Sequence, residues 1–252
     1  MLYNEIEVTR AYMEGILTQQ SYDNLRDNLQ VLDDINKVTG ISQSAMAGLA
    51  CAESRAGVDG GLDQLSVSLE EEVAAAILAG KPLGPVQLSG DFAREQGLNV
   101  TGKADDDRAK WNKALPAAAK VIAETDVHFS GEGSHQGRGL AFWSIHMGRK
   151  GIKYLIESYS ANHGLAYTNL EDFVKKEKIT PFKILEVKNI RERLEEPGYD
   201  KTPVYVLRIA ACASIIDELE PEWRKQLNSK IGTVVDSPKV VKFPQKVRDK
   251  AA

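Results

Sequence analysis

The stretch that most constrains this chain is Ser42–Ser54, SQSAMAGLACAES, followed at once by Arg55-Ala56-Gly57. It is apolar or small almost throughout, with Ser42 placed to cap a helix. Met46, Leu49, Ala50 and Glu53 recur at i, i+3, i+4 and i+7, which puts them on one face. Glu53 therefore sits at the last turn of a helix, on the face that packs. A carboxyl there loses water, and desolvation raises its pKa. The negative end of the helix dipole pushes the same way. Such an acid can stay protonated and donate to a leaving oxygen. The competing reading is an ordinary Glu paired with Arg55 or another cation.

The rest of the chain also reads as helical. A first helix is expected over roughly residues 3–17. Leu25, Leu29, Leu32 and Ile35 follow at helical spacing, with Ser21 as cap and Gly40 as stop. Ser68 and Glu71 form a capping box before LEEEVAAAILAG, which Gly80 and Pro82 end. Ser89 caps a short helix closed by Gly97. DDDRAKWNKALPAAAKVIAE (105–124) looks helical, with Pro116 as a break or kink. SGEGSHQGRG (130–139) lacks the Gly-Lys-Ser/Thr ending of a phosphate loop and reads as a mobile loop. Helices near 139–148 and 151–160 come next. Thr180-Pro181 and Thr202-Pro203 are matched helix starts, and Pro221 starts another short helix. No internal repeat is visible.

With 252 residues, the chain is long enough for a real core in one large domain or two small ones. A net charge of −4, with bases interleaved among acids, argues against nucleic acid and anionic membranes as partners. No window of about 18 apolar residues suggests a membrane span. The start, MLYNEIEVTR, has no signal-peptide pattern. Cys51 and Cys212 sit among small or apolar neighbours and read as buried free thiols, although a disulfide between their helices is open. His128, His135, His146 and His163 form no close metal-ligand pair, and no metal or other cofactor is expected. Ser54 lacks the Gly-x-Ser-x-Gly elbow of a serine hydrolase.

Four segments, taken in order, resemble the lysozyme superfamily, in its soluble lytic transglycosylase and goose-type lysozyme branch. MAGLACAESRAG (46–57) resembles the catalytic-helix ending, where a small-residue helix closes in Glu-Ser. GPVQLSGDFA (84–93) resembles the Gly-Leu/Pro-Met-Gln-Ile/Val segment through Gly84, Pro85, Gln87 and Ser89, with Val86 in the Met position. YSANHG (159–164) resembles Tyr-Asn-Ala-Gly through Asn162 and Gly164. It departs in having His163 for Ala and Ala161 for the Tyr before the Asn, with Tyr159 two residues earlier. TPVYVLRIAACASI (202–215) resembles the late helix with a Thr-x-x-Tyr-Val pattern, with Tyr205 as its aromatic. FWSIHMG (142–148) reads first as a core stripe and also resembles the helix bordering the glycan cleft.

This resemblance implies a mostly α, lysozyme-like helical domain with a catalytic cleft and additional N-terminal helices. The expected layout is a single domain over 1–252: a helical extension (1–40), a catalytic core (41–220) and a C-terminal helix with a basic tail (221–252). The implied activity is cleavage of the β-1,4 bond between N-acetylmuramic acid and N-acetylglucosamine in peptidoglycan glycan strands, with Glu53 as general acid/base. Ser54, Gln87, Tyr159, Asn162, Tyr167 and Tyr205 are the expected substrate contacts, the tyrosines being equally readable as core. Two carboxyls usually serve glycoside hydrolysis. Asp59 and Asp63 are candidates for the second, though an Asp beside Gly commonly just forms a turn. A lytic transglycosylase needs one Glu alone, because the sugar's own 6-hydroxyl closes an anhydro ring. Such an enzyme works in the cell envelope, the periplasm or outside the cell, so the missing signal is an inconsistency that trimming, a phage origin or another export route would resolve. The alternatives are a non-catalytic helical binding protein with a degenerate cleft, and a glycanase for chitin or chitosan.

Overall fold

A computed structural model describes residues 2–59, 71–195 and 202–231. Within them the protein is mostly helical, with no strand. Residues 1–218 form one compact unit, and residues 219–252 form a second. The Ser68–Glu71 capping box, Asp63 and the basic tail from residue 232 lie outside the described residues.

Three helices open the chain: α1 (Leu2–Ile16), α2 (Gln19–Asp27) and α3 (Leu29–Thr39). The periodic run from Leu25 to Ile35 is therefore two helices, broken at Asn28. The cap is Thr18, not Ser21. Ser21 is the third residue of a reciprocal capping box whose hydroxyl accepts from the Thr18 backbone. Gly40 stops α3 in the left-handed region, as its lack of a Cβ allows. Leu25, Leu29, Leu32 and Ile35 are all buried, so the stripe survives the break.

Next come α4 (Gln43–Ser54), α5 (Glu71–Gly80) and α6 (Gly90–Glu95), the first and last capped by the Ser42 and Ser89 hydroxyls. The chain then departs from expectation. The run Asp105–Lys110 is a loop with one 3-10 turn, and α7 (Trp111–Ser130) begins only at Trp111. Asp106 and Arg108 in that loop are fully buried and paired at 2.8 Å. Asp106 also accepts from the backbone N–H groups of Thr101, Gly102 and Arg108. Burial pushes its pKa up, but these bonds and the guanidinium outweigh burial and hold it below the usual range. Arg108 in turn donates to the carbonyls of Leu78, in the last turn of α5, and of Lys81, just beyond it. Pro116 lies within α7 without ending it.

Helix α7 is the hub. It packs on α3, on α8 (Arg138–Asn162) and on α9 (Leu170–Glu177). Leu115, Ile122 and Phe129 are fully buried along it, each contributing about 1.5–3 kcal/mol of apolar burial. Across the loop between α7 and α8, Arg138 at the start of α8 bonds Asp126 of α7 and the Gly40 carbonyl. Helix α8 is two helices joined at Gly148, where φ is 72°, matching the expected break. Two short helices follow, α10 (Pro181–Leu185), started by Thr180-Pro181 as expected, and α11 (Lys188–Leu194). The last, α12 (Thr202–Ile231), contains Pro221, where the sequence pattern predicts a fresh start.

Candidate active site

The blandness of α4 has a steric cause. A Cβ added at Gly48 would lie 2.6 Å from the Ile209 carbonyl oxygen and 3.0 Å from the Ala213 nitrogen. So α4 and α12 cross backbone against backbone, and only small residues fit. Cys51 and Cys212 are buried and unoxidised on these two helices. A hydrogen bond between the thiols, together with burial, holds the Cys51 pKa well above its usual value.

This crossing brings Glu53 and Tyr205 together. Met46, Leu49 and Ala50 are fully buried on the face of α4 that ends in Glu53, which is only partly exposed. Burial raises the Glu53 pKa, and the neighbouring Tyr205 hydroxyl partly offsets the rise. Tyr205 is 7% exposed, and its own pKa is pushed well up by burial and by the Glu53 charge. Its hydroxyl faces the carboxyl but has no partner at strict hydrogen-bond geometry among the described residues. Glu53 has no ion pair there either. Arg55, the cation that sequence offers it, instead forms a two-pronged ion pair with exposed Asp59. Asp59 is thus engaged elsewhere.

Beyond Glu53 the chain makes an unusual turn. Arg55, Ala56 and Gly57 have φ of 48°, 59° and 82°. Among the described residues four non-glycines have positive φ, and Arg55, Ala56 and Gln87 are three of them. Each such residue stores about 1–3 kcal/mol of backbone strain, which persists only where its surroundings dictate it. Ser54 is the tie between these strained segments. Its hydroxyl donates to the Pro85 carbonyl at 2.8 Å and accepts from the Gly57 N–H at 2.7 Å. It is 1% exposed. This departs from the expectation that Ser54 contacts substrate: its hydroxyl is buried and tied to main chain.

The segment it ties is a tight hairpin, with Leu83 and Leu88 bridged and half-buried Gln87 closing the turn beside Leu88. Gln87 donates its side-chain amide to the Gly84 carbonyl at 2.8 Å. Gly84 has φ of 84°, and a Cβ there would overlap the Arg108 carbonyl oxygen at 1.7 Å. The buried Asp106–Arg108 pair therefore backs the hairpin that Ser54 holds in front.

The other expected contacts are spread out. His146 connects them to Glu53. Its ring stacks on Tyr205 with centroids 4.7 Å apart, and burial lowers its pKa. His146 also lines a cavity of about 740 Å³ between α8 and α11, whose far end is formed by Asn162 and Asn189. Tyr159 stacks on His163 in an adjoining cleft of about 470 Å³ that shares Asn162. Tyr167 stacks on Phe173 beside a third, of about 300 Å³. Glu53 and Gln87 line none of these three. Sequence reasoning treated His146 as one of four unpaired histidines; its stack on Tyr205 is a tertiary contact without a local signature.

Among the described residues no group of three His, Cys, Asp or Glu side chains could hold a metal ion, and no helix is long and apolar enough to cross a membrane. No protein-family model, no curated protein and no solved structure matches this chain.

Proposed function

We propose that this protein cleaves the β-1,4 glycosidic bonds of peptidoglycan, with Glu53 as the acid and then the base, on a lysozyme-like helical scaffold. The observation that carries the reading is the state of Glu53. It is a half-buried carboxyl with a raised pKa and no cation partner among the described residues, facing a fully buried tyrosine hydroxyl. That is the environment of a proton donor rather than of a surface Glu. The four ordered sequence resemblances add the substrate class.

In this mechanism protonated Glu53 gives its proton to the bridging oxygen as the bond to the leaving sugar breaks. The resulting carboxylate, steadied by the Tyr205 hydroxyl, then takes a proton from the attacking nucleophile. Asp59 is tied up by Arg55, which favours attack by the sugar's own 6-hydroxyl and a lytic transglycosylase over a two-carboxylate hydrolase. Gln87, half-exposed at the end of the hairpin turn, contacts the glycan. The working site is then the cell envelope or outside the cell.

One observation favours the second reading, a binding protein: a cavity of about 740 Å³ opens beside His146, and Glu53 does not line it. Digestion of purified peptidoglycan by wild type and Glu53→Gln, with products weighed by mass spectrometry, separates the two. Anhydro-muropeptides, lighter by one water, from wild type but not from the variant are the expected result. Reducing-end products mean a hydrolase. No products from several wall types removes the catalytic reading; chitin oligomers are the control for the chitinase alternative.

A further inference from the structure

The cavity between α8 and α11 has a chemistry of its own. Its floor is apolar, from Met147, Leu155, Ile190 and Leu194. Its rim carries two cations, Lys150 and Arg193, and no described lining residue is a carboxylate. In a chain of net charge −4 that is an unusual local balance. Neighbouring bases are neutralised: Lys153 pairs with Glu157, Lys188 with Glu192, and Arg191 with Glu5 and Glu195. Lys150 and Arg193 have no ion pair among the described residues. Arg193 is nonetheless held in place. Its guanidinium lies 5.1 Å above the Tyr154 ring centre and donates to the Tyr154 hydroxyl. A guanidinium has five donors, and this bond uses one. The ring fixes the plane of the fork and leaves its other edge free for a planar anion.

Spacing supports a single site. Lys150 and Tyr154 lie four residues apart on the segment of α8 after Gly148, hence on one face, and His146 lines the same cavity from the segment before the break. Ile190, Arg193 and Leu194 fall at i, i+3 and i+4 on α11, also one face. Asn162 and Asn189 close the far end through a 2.8 Å bond between their side chains.

We propose that this cavity binds a carboxylate on a partly apolar arm, with Arg193 and Lys150 gripping the carboxylate and Met147, Leu155 and Ile190 packing the arm. As a substrate subsite the assignment rests on the glycan-cleaving reading, and His146 joins it to Tyr205 and Glu53. As a carboxylate site it stands on its own residues. The shared chemistry has two sources in such a glycan: the lactyl carboxylate of the sugar itself, or the carboxylate of a peptide attached to it.

The test is calorimetric titration of the full chain carrying Glu53→Gln with three probes: N-acetylmuramic acid, N-acetylmuramoyl dipeptide and neutral chitotriose. Each is repeated in Arg193→Met, Lys150→Met and Arg193→Lys, with thermal melts to verify folding. A carboxylated probe is expected to bind. Arg193→Met and Lys150→Met are each expected to weaken it by about tenfold, the loss of one charge-assisted hydrogen bond, with Arg193→Lys intermediate and chitotriose unaffected. Binding should weaken with added salt. The dipeptide's lactyl carboxyl is an amide, so dependence for N-acetylmuramic acid alone identifies the lactyl carboxylate, dependence for the dipeptide alone identifies the peptide carboxylate, and dependence for both shows a carboxylate site that takes either. Binding that is equal for the neutral sugar, or unmoved by both Met variants, or absent, overturns the proposal. Carboxylate binding through Arg193 in a protein that cleaves no glycan would sink the catalytic reading and leave this site standing. Cleavage with KM unchanged in both Met variants does the reverse.

Discussion

Ser54 donates to the carbonyl of Pro85 at 2.8 Å, joining the end of the Glu53 helix to the hairpin that presents Gln87. Both ends of that bond are buried. Ser54→Ala would leave the Pro85 carbonyl and the Gly57 N–H without their partner. The expected cost is about 1–3 kcal/mol of stability for buried groups left unsatisfied, read from urea unfolding. Activity should drop by more than stability alone explains, because the strained turn at Arg55 and Ala56 loses its anchor. An unchanged midpoint would show that the tie does nothing.

Glu53→Gln should abolish turnover, by about 10²–10⁴-fold for loss of one general acid, and at the same time stabilise the fold. The sign follows from the raised pKa. The native state holds the Glu53 proton more tightly than the unfolded chain, so the ionised carboxylate costs stability above its native pKa. The variant should gain on the order of 1 kcal/mol at pH 7, a few degrees in Tm. That gain should fade as pH falls through the raised pKa towards the unfolded value. A variant that is less stable at pH 7 would contradict the burial argument.

Tyr205→Phe tests the partner. The Tyr205 hydroxyl lowers the Glu53 pKa against the pull of burial. Without it the carboxyl should titrate higher, moving the alkaline limb of the kcat profile to higher pH. Maximal kcat should fall by about tenfold, the worth of one hydrogen bond to the developing carboxylate. A limb that stays put or moves down places the hydroxyl elsewhere.

Gly48→Ala gains about 1 kcal/mol of helix propensity and forces a Cβ to 2.6 Å from the Ile209 carbonyl. Overpacking against main chain should outweigh the gain, for a net loss of about 1–2 kcal/mol. Chemical denaturation measures it. Gly80→Ala, at a site with open space around it, is the matched control and should show no such clash.

What was legible in the sequence is what local chemistry writes. The hydroxyl caps at Ser42, Ser89 and Thr180, and the left-handed stop at Gly40, need only their neighbours in the chain. The break at Asn28 was hidden because the leucine stripe continues across it. The Asp105–Lys110 loop was hidden because Asp-Asp-Asp-Arg passes for the first turn of a helix. Arg108 satisfies carbonyls at Leu78 and Lys81, distant in sequence, and no pattern within a helical window encodes that. Around Glu53 the limit is the same. The helix face that carries it is periodic, whereas the burial of Ser54 and the stack of His146 on Tyr205 exist only once α4, α8 and α12 have met.

The contact at Gly48 also bears on how this protein can vary over generations. Where two helices meet through side chains, each core substitution nudges their spacing, and a residue pair carried on them drifts with it. Here the spacing between the helices of Glu53 and Tyr205 is set by main chain on main chain at the glycine. Neutral mutations elsewhere in the core can accumulate without retuning the acid, so the rest of the scaffold is free to diverge while this joint stays fixed.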